Sequence, residues 1–230
     1  MKNIFIPKNR KSGFTLLELL IVIAILAILS VALVIVLNPA ETLKKSRDAQ
    51  RMSDLSTMKT AIGLYLTSTT SPTLGSSGAN STCKLVPSTA WGAAGTYKIW
   101  YSLPSSSAIT DVSLDASTVT TPAVQVATPS LADGTGWIPI NFTALTGGSP
   151  ISNLPVDPTN TISTLSAVAS TDLVYRYACS QTPLAYEIDA QLESSAYSGS
   201  LTTDGGNSTA YYETGTNLSI LGMGSNNTDY

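Results

Sequence analysis

Histidine is missing from all 230 positions of the chain. Its absence removes imidazole general bases, Ser-His-Asp triads and His-ligated metals. The two cysteines, Cys83 and Cys179, form no Cys-x-x-Cys motif. No Gly-rich phosphate loop and no paired-carboxylate signature is present, so no catalytic or cofactor-binding residue is expected, and the chain is not read as an enzyme. Positive charge is scarce where the chain is longest. Residues 68–230 hold Lys84, Lys98 and Arg176 against eleven acids, a formal −8 within a whole-chain −3. So acidic a stretch, rich in Ser, Thr and Gly, argues against nucleic-acid binding by that part alone. It suits a soluble external surface. Finally, no proline or glycine falls between Phe14 and Leu37.

That last absence draws attention to what is there. Residues 14–37 are an apolar run of 24, whose polar members are Thr15, Glu18 and Ser30. About 20 apolar residues suffice to cross a bilayer. A carboxylate inside hydrocarbon costs about 2.5 kcal/mol at the least, so Glu18 needs compensation. The preceding residues carry Lys2, Lys8, Arg10 and Lys11 and no acid. A basic start before an apolar stretch suggests a secretory signal. Yet the run exceeds the usual apolar core of about 7–15 residues, and no small-residue cleavage pattern follows it. Gly13 lies before the run, where a cut leaves the helix in the mature chain. Charge does not orient the span, because Lys44, Lys45, Arg47 and Arg51 beyond it match the four basic residues ahead of it.

The pattern basic–Gly13–Phe14-Thr15-Leu16-Leu17-Glu18 resembles the type III signal of type IV pilins and type II secretion pseudopilins. The resemblance is close over about residues 8–37, looser to about Thr67 and weak beyond. It implies that a prepilin peptidase cuts between Gly13 and Phe14 and N-methylates Phe14. It also implies that Glu18 of one subunit meets the Phe14 amine of a neighbour in a filament. The chemistry is consistent. Cleavage creates an ammonium one helical turn from Glu18, and each charge relieves the burial of the other only if they pair. The plainer reading is a Glu at a helix N-terminus, favoured by the helix dipole.

Past Asn38-Pro39, apolar positions recur at 43, 52, 55, 58, 62 and 65/66, the later ones at helical spacing. Pro39 either starts a helix, with Asn38 as its cap, or kinks a continuous one. Helix is expected to about Leu66, before Thr67-Ser68-Thr69-Thr70-Ser71-Pro72. The expected organisation is a cleaved leader at 1–13, a membrane or filament-core helix at 14–37, its amphipathic continuation at 38–67, and an extracytoplasmic head at 68–230.

Within the head, Leu173–Cys179 and Leu184–Glu193 alternate in polarity and should form a hairpin across Ser180-Gln181-Thr182-Pro183. Tyr175, Tyr177, Tyr186 and Ile188 should cover the helix. Glu187, Asp189, Gln191 and Glu193 should form a solvated face. Tyr97–Leu103 and Trp137–Phe142 are further strand candidates, and Val119–Val126 is one broken by Pro122. Residues 68–96 and 104–136 read as long loops. The fold class is α+β, a long N-terminal helix on a C-terminal antiparallel sheet, which is also the architecture the resemblance implies.

Leu154-Pro155-Val156-Asp157-Pro158 is similar to a segment that precedes a strand in major pseudopilins, without their tryptophan. Asp204-Gly205-Gly206-Asn207 resembles their C-terminal calcium loop, which makes Asp204 and Asn207 candidate calcium ligands; Asp-Gly and Gly-Gly also read as turns. An extracytoplasmic place permits a Cys83–Cys179 disulfide, the alternative being two buried thiols. Five Asn-x-Ser/Thr triplets, at Asn80, Asn141, Asn207, Asn217 and Asn226, arise readily by chance in so Ser/Thr-rich a chain. The whole reads as a filament subunit, pilin or pseudopilin, made as a single-pass inner-membrane precursor. Its expected partners are itself, prepilin peptidase, the inner-membrane assembly machinery and, before assembly, membrane lipid. The alternative is a monomeric membrane-anchored binding domain with an exposed head.

Overall fold

The computed structural model describes residues 13–88, 91, 97–104, 110–111, 123–126, 128–162, 167–169 and 171–222. The leader before Gly13, residues 119–122 of the Val119–Val126 run and the Asn226 triplet lie outside these. The chain divides into two compact units, Met1–Leu43 and Lys44–Tyr230.

The first unit is dominated by helix α1, Leu16–Leu37, with no buried residue. By length and composition it is the candidate membrane span among the described residues. Ser30, its one internal hydroxyl, donates to the Leu26 carbonyl at 2.7 Å, so it brings no unpaired donor into hydrocarbon. The helix ends at Asn38, which takes the left-handed conformation (φ 38°, ψ 73°) that asparagine tolerates. Pro39 then opens helix α2, Pro39–Ser68. Proline fits a first helical position because its missing N–H would have no intrahelical partner there. The Asn38 side chain accepts from the Glu41 N–H at 3.4 Å. Pro39 therefore starts a helix rather than kinking one.

In the second unit α2 buries Asp48, Arg51, Leu55, Met58, Ala61, Ile62 and Tyr65, spaced by three or four as one helix face requires. The expected stripe is apolar only from Leu55 on. Leu43 is exposed, and the turn before Leu55 buries charged residues. The sheet against this face contains β1 (Ile99–Pro104), β3 (Ala123–Val126), β5 (Tyr175–Ser180), β6 (Ala185–Gln191) and β7 (Tyr211–Gly215), in the order β3-β1-β5-β6-β7. Strands β1, β5, β6 and β7 are antiparallel neighbours, and β3 adds a parallel edge. A separate parallel pair joins β2 (Thr110–Asp111) to β4 (Ala167–Val168).

The hairpin forms as its alternation predicts, with Tyr177 opposite Ile188 and Cys179 opposite Tyr186. Its inner face joins Trp100, Tyr175, Tyr177, Tyr186 and Ile188 to Leu55, Met58, Ile62 and Tyr65 in one core. Ring centroids lie 5.6 Å apart for Trp100–Tyr177 and 6.4 Å for Tyr177–Tyr186, within the range of favourable aromatic pairs. The Tyr177 hydroxyl donates to the Leu74 carbonyl and the Tyr175 hydroxyl to Asp54, so burial strands neither. The Cys83–Cys179 disulfide is formed across 96 residues, and beside it the Lys84 N–H donates to the Cys179 carbonyl.

Two strand-level expectations need correction. Trp137–Phe142 is not a strand. Pro139 has no N–H to offer a ladder, and the run instead buries Trp137, Ile138, Ile140 and Phe142 as core filling. The Trp137 indole donates to the Pro155 carbonyl at 2.8 Å, and Phe142 begins a 3-10 turn capped by Asn141. The second correction concerns the face of β6 that bears Glu187 and Asp189. It is not solvated, since both residues are buried. Trp91, Ile220 and Leu221 pack with Ile99, Tyr101 and Ala178 as a second apolar cluster. Arg176 on β5 pairs with Asp189 opposite it and lies 3.8 Å from the centre of the Tyr211 ring. Polar alternation reported the period correctly, but a second layer removed the water.

Candidate functional site

The first turn of α1 carries the chemistry that the sequence singles out. Gly13 is exposed, with no described atom within 4 Å of where a Cβ would stand. Phe14 precedes the helix and is exposed. Thr15 is the N-cap, in extended conformation (φ −80°, ψ 150°). Its hydroxyl oxygen accepts from the Glu18 N–H at 3.2 Å. The Glu18 carboxylate reaches back and accepts from both the Thr15 N–H and the Thr15 hydroxyl, each at 2.9 Å. This is a reciprocal capping box, which satisfies helix-end donors that have no intrahelical partner. Its Thr-x-x-Glu signature, Thr15 to Glu18, stands openly in the sequence and gives Glu18 a partner besides an ionic one. The structure thus joins Thr15 and Glu18 within one chain, with Phe14 the residue before the cap.

At the start of α2 in the second unit lies a buried ionic cluster that hydrophobic periodicity misses. Arg51, fully buried, donates to Asp157 through Nε (2.6 Å) and Nη2 (3.0 Å), and through Nη1 to Asp48 (2.8 Å) and Glu193 (2.7 Å). Asp48 also accepts from the Glu193 and Ser194 N–H groups. Asp157 also accepts from the Thr159 and Asn160 N–H groups. Arg47 grips Glu193 from outside with two bonds of 2.8 and 2.7 Å. Burial alone would lower the Arg51 pKa, but its hydrogen bonds to Asp157, Glu193 and Asp48 and the charge of Asp157 more than reverse it. The Arg47 hydrogen bonds, followed by those of Arg51, hold the Glu193 carboxyl down at about 2. Every member is met by an opposite charge, so the cluster joins α2 to the end of β6 and offers no reactive group.

The loop resembling a calcium site has its own local use. Asp204 accepts from the Gly206 N–H (3.0 Å) and from the Glu213 N–H (2.7 Å). It therefore closes a turn and covers a backbone donor of β7. Gly206 is needed there, because a Cβ would stand 2.0 Å from the Glu213 carboxylate. The Asn207 amide oxygen is buried and has no hydrogen-bond partner among the described residues. Among the described residues no group of three His, Cys, Asp or Glu side chains could hold a metal ion.

Comparison with known families locates the prokaryotic N-terminal methylation motif at residues 8–34. No curated protein and no solved structure matches the chain. The matched stretch includes Gly13, Phe14, the capping box and most of the exposed apolar helix. Together with that helix, the motif points to membrane anchoring and suggests a pilin or pseudopilin precursor of the kind prepilin peptidase processes. The methylation motif on residues 8–34, heading an apolar helix with no buried side chain, supports a type IV pilin-like family for this chain.

Proposed function

We propose that the chain is a structural filament subunit, cut by prepilin peptidase between Gly13 and Phe14, N-methylated on Phe14, and assembled through α1. The leader at 1–13 stays on the cytoplasmic side of the inner membrane, and the head from about residue 68 lies outside the cytoplasm. The observation that carries this reading is the Glu18 carboxylate, set in an otherwise apolar exposed helix within a motif whose processing creates an amine. Cleavage frees that amine on Phe14, next to the Thr15 N–H that already contacts Glu18. In the filament, Glu18 of one subunit pairs with the Phe14 ammonium of its neighbour, where each charge offsets the other's desolvation. Surface pilus and secretion pseudopilus use the same device.

One observation favours the rival reading of a monomeric anchored domain: the capping box already satisfies Glu18 inside a single chain. The two readings part at Glu18→Gln. Glutamine serves a capping box as glutamate does but carries no charge. An anchor tolerates the change. A filament subunit that needs the ion pair loses assembly while its precursor still inserts and folds. The readout is surface filaments by electron microscopy, with membrane-fraction levels as the control. Undiminished filaments in the variant exclude the pairing role, and no filaments from wild type favour the anchor.

A further inference from the structure

The outer face of the sheet carries a pair of acids that the proposed function does not use. Glu187 on β6 and Glu213 on β7 are both buried, at 0% and 2% exposure. Asp189 stands opposite Glu213, and Glu187 stands opposite Gly215. The two glutamates are thus diagonal neighbours on one face, within reach of long side chains. One oxygen of each has a clear donor. Glu187 Oε2 accepts from the Ile220 and Leu221 N–H groups at 2.7 and 2.8 Å. Glu213 Oε2 accepts from the Ser208 N–H at 2.8 Å. The other oxygen of each is buried and receives no donor from the described residues. Two buried carboxylates so placed repel each other and leave two acceptors unmet, whereas one proton held between them removes both costs.

We propose that Glu187 and Glu213 share a single proton, and that this carboxyl–carboxylate pair is a pH-sensitive latch on the strap Thr216–Leu221 that closes the outer face. Glu213 carries the proton and donates it to Glu187. Glu187 remains the anion that receives the strap's two N–H groups. Among the described residues, the charged groups nearest the pair are also engaged elsewhere. From β5, Arg176 is held by Asp189 of β6. From the loop before β7, Asp204 accepts the Glu213 N–H. Lys84 Nζ donates to the Ile220 carbonyl and lies 4.4 Å from the Trp91 ring centre. Tyr211 packs on Arg176. Lys84 and Glu187 therefore hold the strap from its two polar sides, and losing the shared proton loads a second negative charge beneath it.

Burial pushes both carboxyls up from the ordinary value, and for Glu213 the facing Glu187 adds to the rise. A folded chain holding that proton binds one more than the unfolded chain above about pH 4.5, so this contribution to stability falls as pH rises. Asp54, raised by burial, acts in the same sense. Lys84, lowered by burial to about 8, acts in the opposite sense at higher pH. The test is therefore a difference between two proteins. Glu213→Gln keeps the shape, keeps an acceptor for Ser208, and gives Glu187 a permanent N–H donor. Both full chains are unfolded in detergent between about pH 5 and pH 7.5. The unfolding constant of wild type should rise about tenfold per pH unit relative to that of the variant, one proton's worth. Infrared spectra near pH 7 should show a protonated-carboxyl band that the variant lacks. Parallel pH profiles, or no such band in wild type, overturn the proposal. So does a melting temperature lowered by chelator in dialysed wild type, which would put a cation where the proton is placed.

Discussion

Arg51→Met strikes a fully buried charge whose loss has a calculable cost. Methionine preserves much of the aliphatic stem and removes the guanidinium. Four short hydrogen bonds to three carboxylates disappear, two of them a bidentate grip on Asp157. Asp48 and Asp157, whose side chains are fully buried, are left with backbone N–H donors but no counter-charge. Breaking a buried ion pair by removing one partner costs about 3–5 kcal/mol, chiefly through the uncompensated charge. For a unit of this size each kcal/mol moves the melting temperature by about 2–4 °C, so a fall of roughly 6–20 °C is expected. The assay is thermal unfolding of the full chain in detergent, followed by circular dichroism. A triple variant, Asp48→Asn with Arg51→Met and Asp157→Asn, removes the stranded charges and should recover much of the loss. A single variant within about 1 kcal/mol of wild type, or a triple variant no better than the single, refutes the reasoning.

Two further outcomes follow from the same coordinates. Replacing both cysteines, Cys83→Ser with Cys179→Ser, opens a loop spanning 96 residues and should cost about 4–5 kcal/mol in the chain-entropy view; a melting temperature within a few degrees of wild type argues against it. On the acid side, Glu193 is held at about 2 by Arg47 and then Arg51. A lowered folded pKa gives stability that is present above about pH 4.5 and lost as pH falls toward 2; Glu193→Gln should flatten that acid limb, and an unchanged limb would dissociate Glu193 from it.

What the sequence made legible was whatever obeys a period or a motif. The stripe from Leu55 to Tyr65 and the Tyr175/Ile188 hairpin are local patterns, and both appear as expected. The helix start at Pro39 was one of two readings, decided by the left-handed conformation of Asn38. The first turn of α1 is legible twice in the sequence, as a processing motif and as the Thr15–Glu18 capping box. Alternation along β6 gave the faces but not their cover. Whether Glu187 meets water depends on Ile220 and Leu221, more than thirty residues away, and no local period encodes that layer. The same holds for Arg51, which resembles a solvated helix residue until Asp157 and Glu193 arrive from distant segments. Trp137–Phe142 misled because burial from all sides imitates a strand's apolar content, although Pro139 had already signalled against one.

The account rests on a cut that turns the first turn of α1 into a new N-terminus carrying an amine within reach of Glu18. Mass spectrometry of the N-terminal peptide, from protein isolated from its own cell envelope, tests this most directly. The expected chain begins at Phe14 with one methyl group on its amine. A chain that still begins at Met1, or that has lost α1 by a cut beyond Leu37, contradicts it.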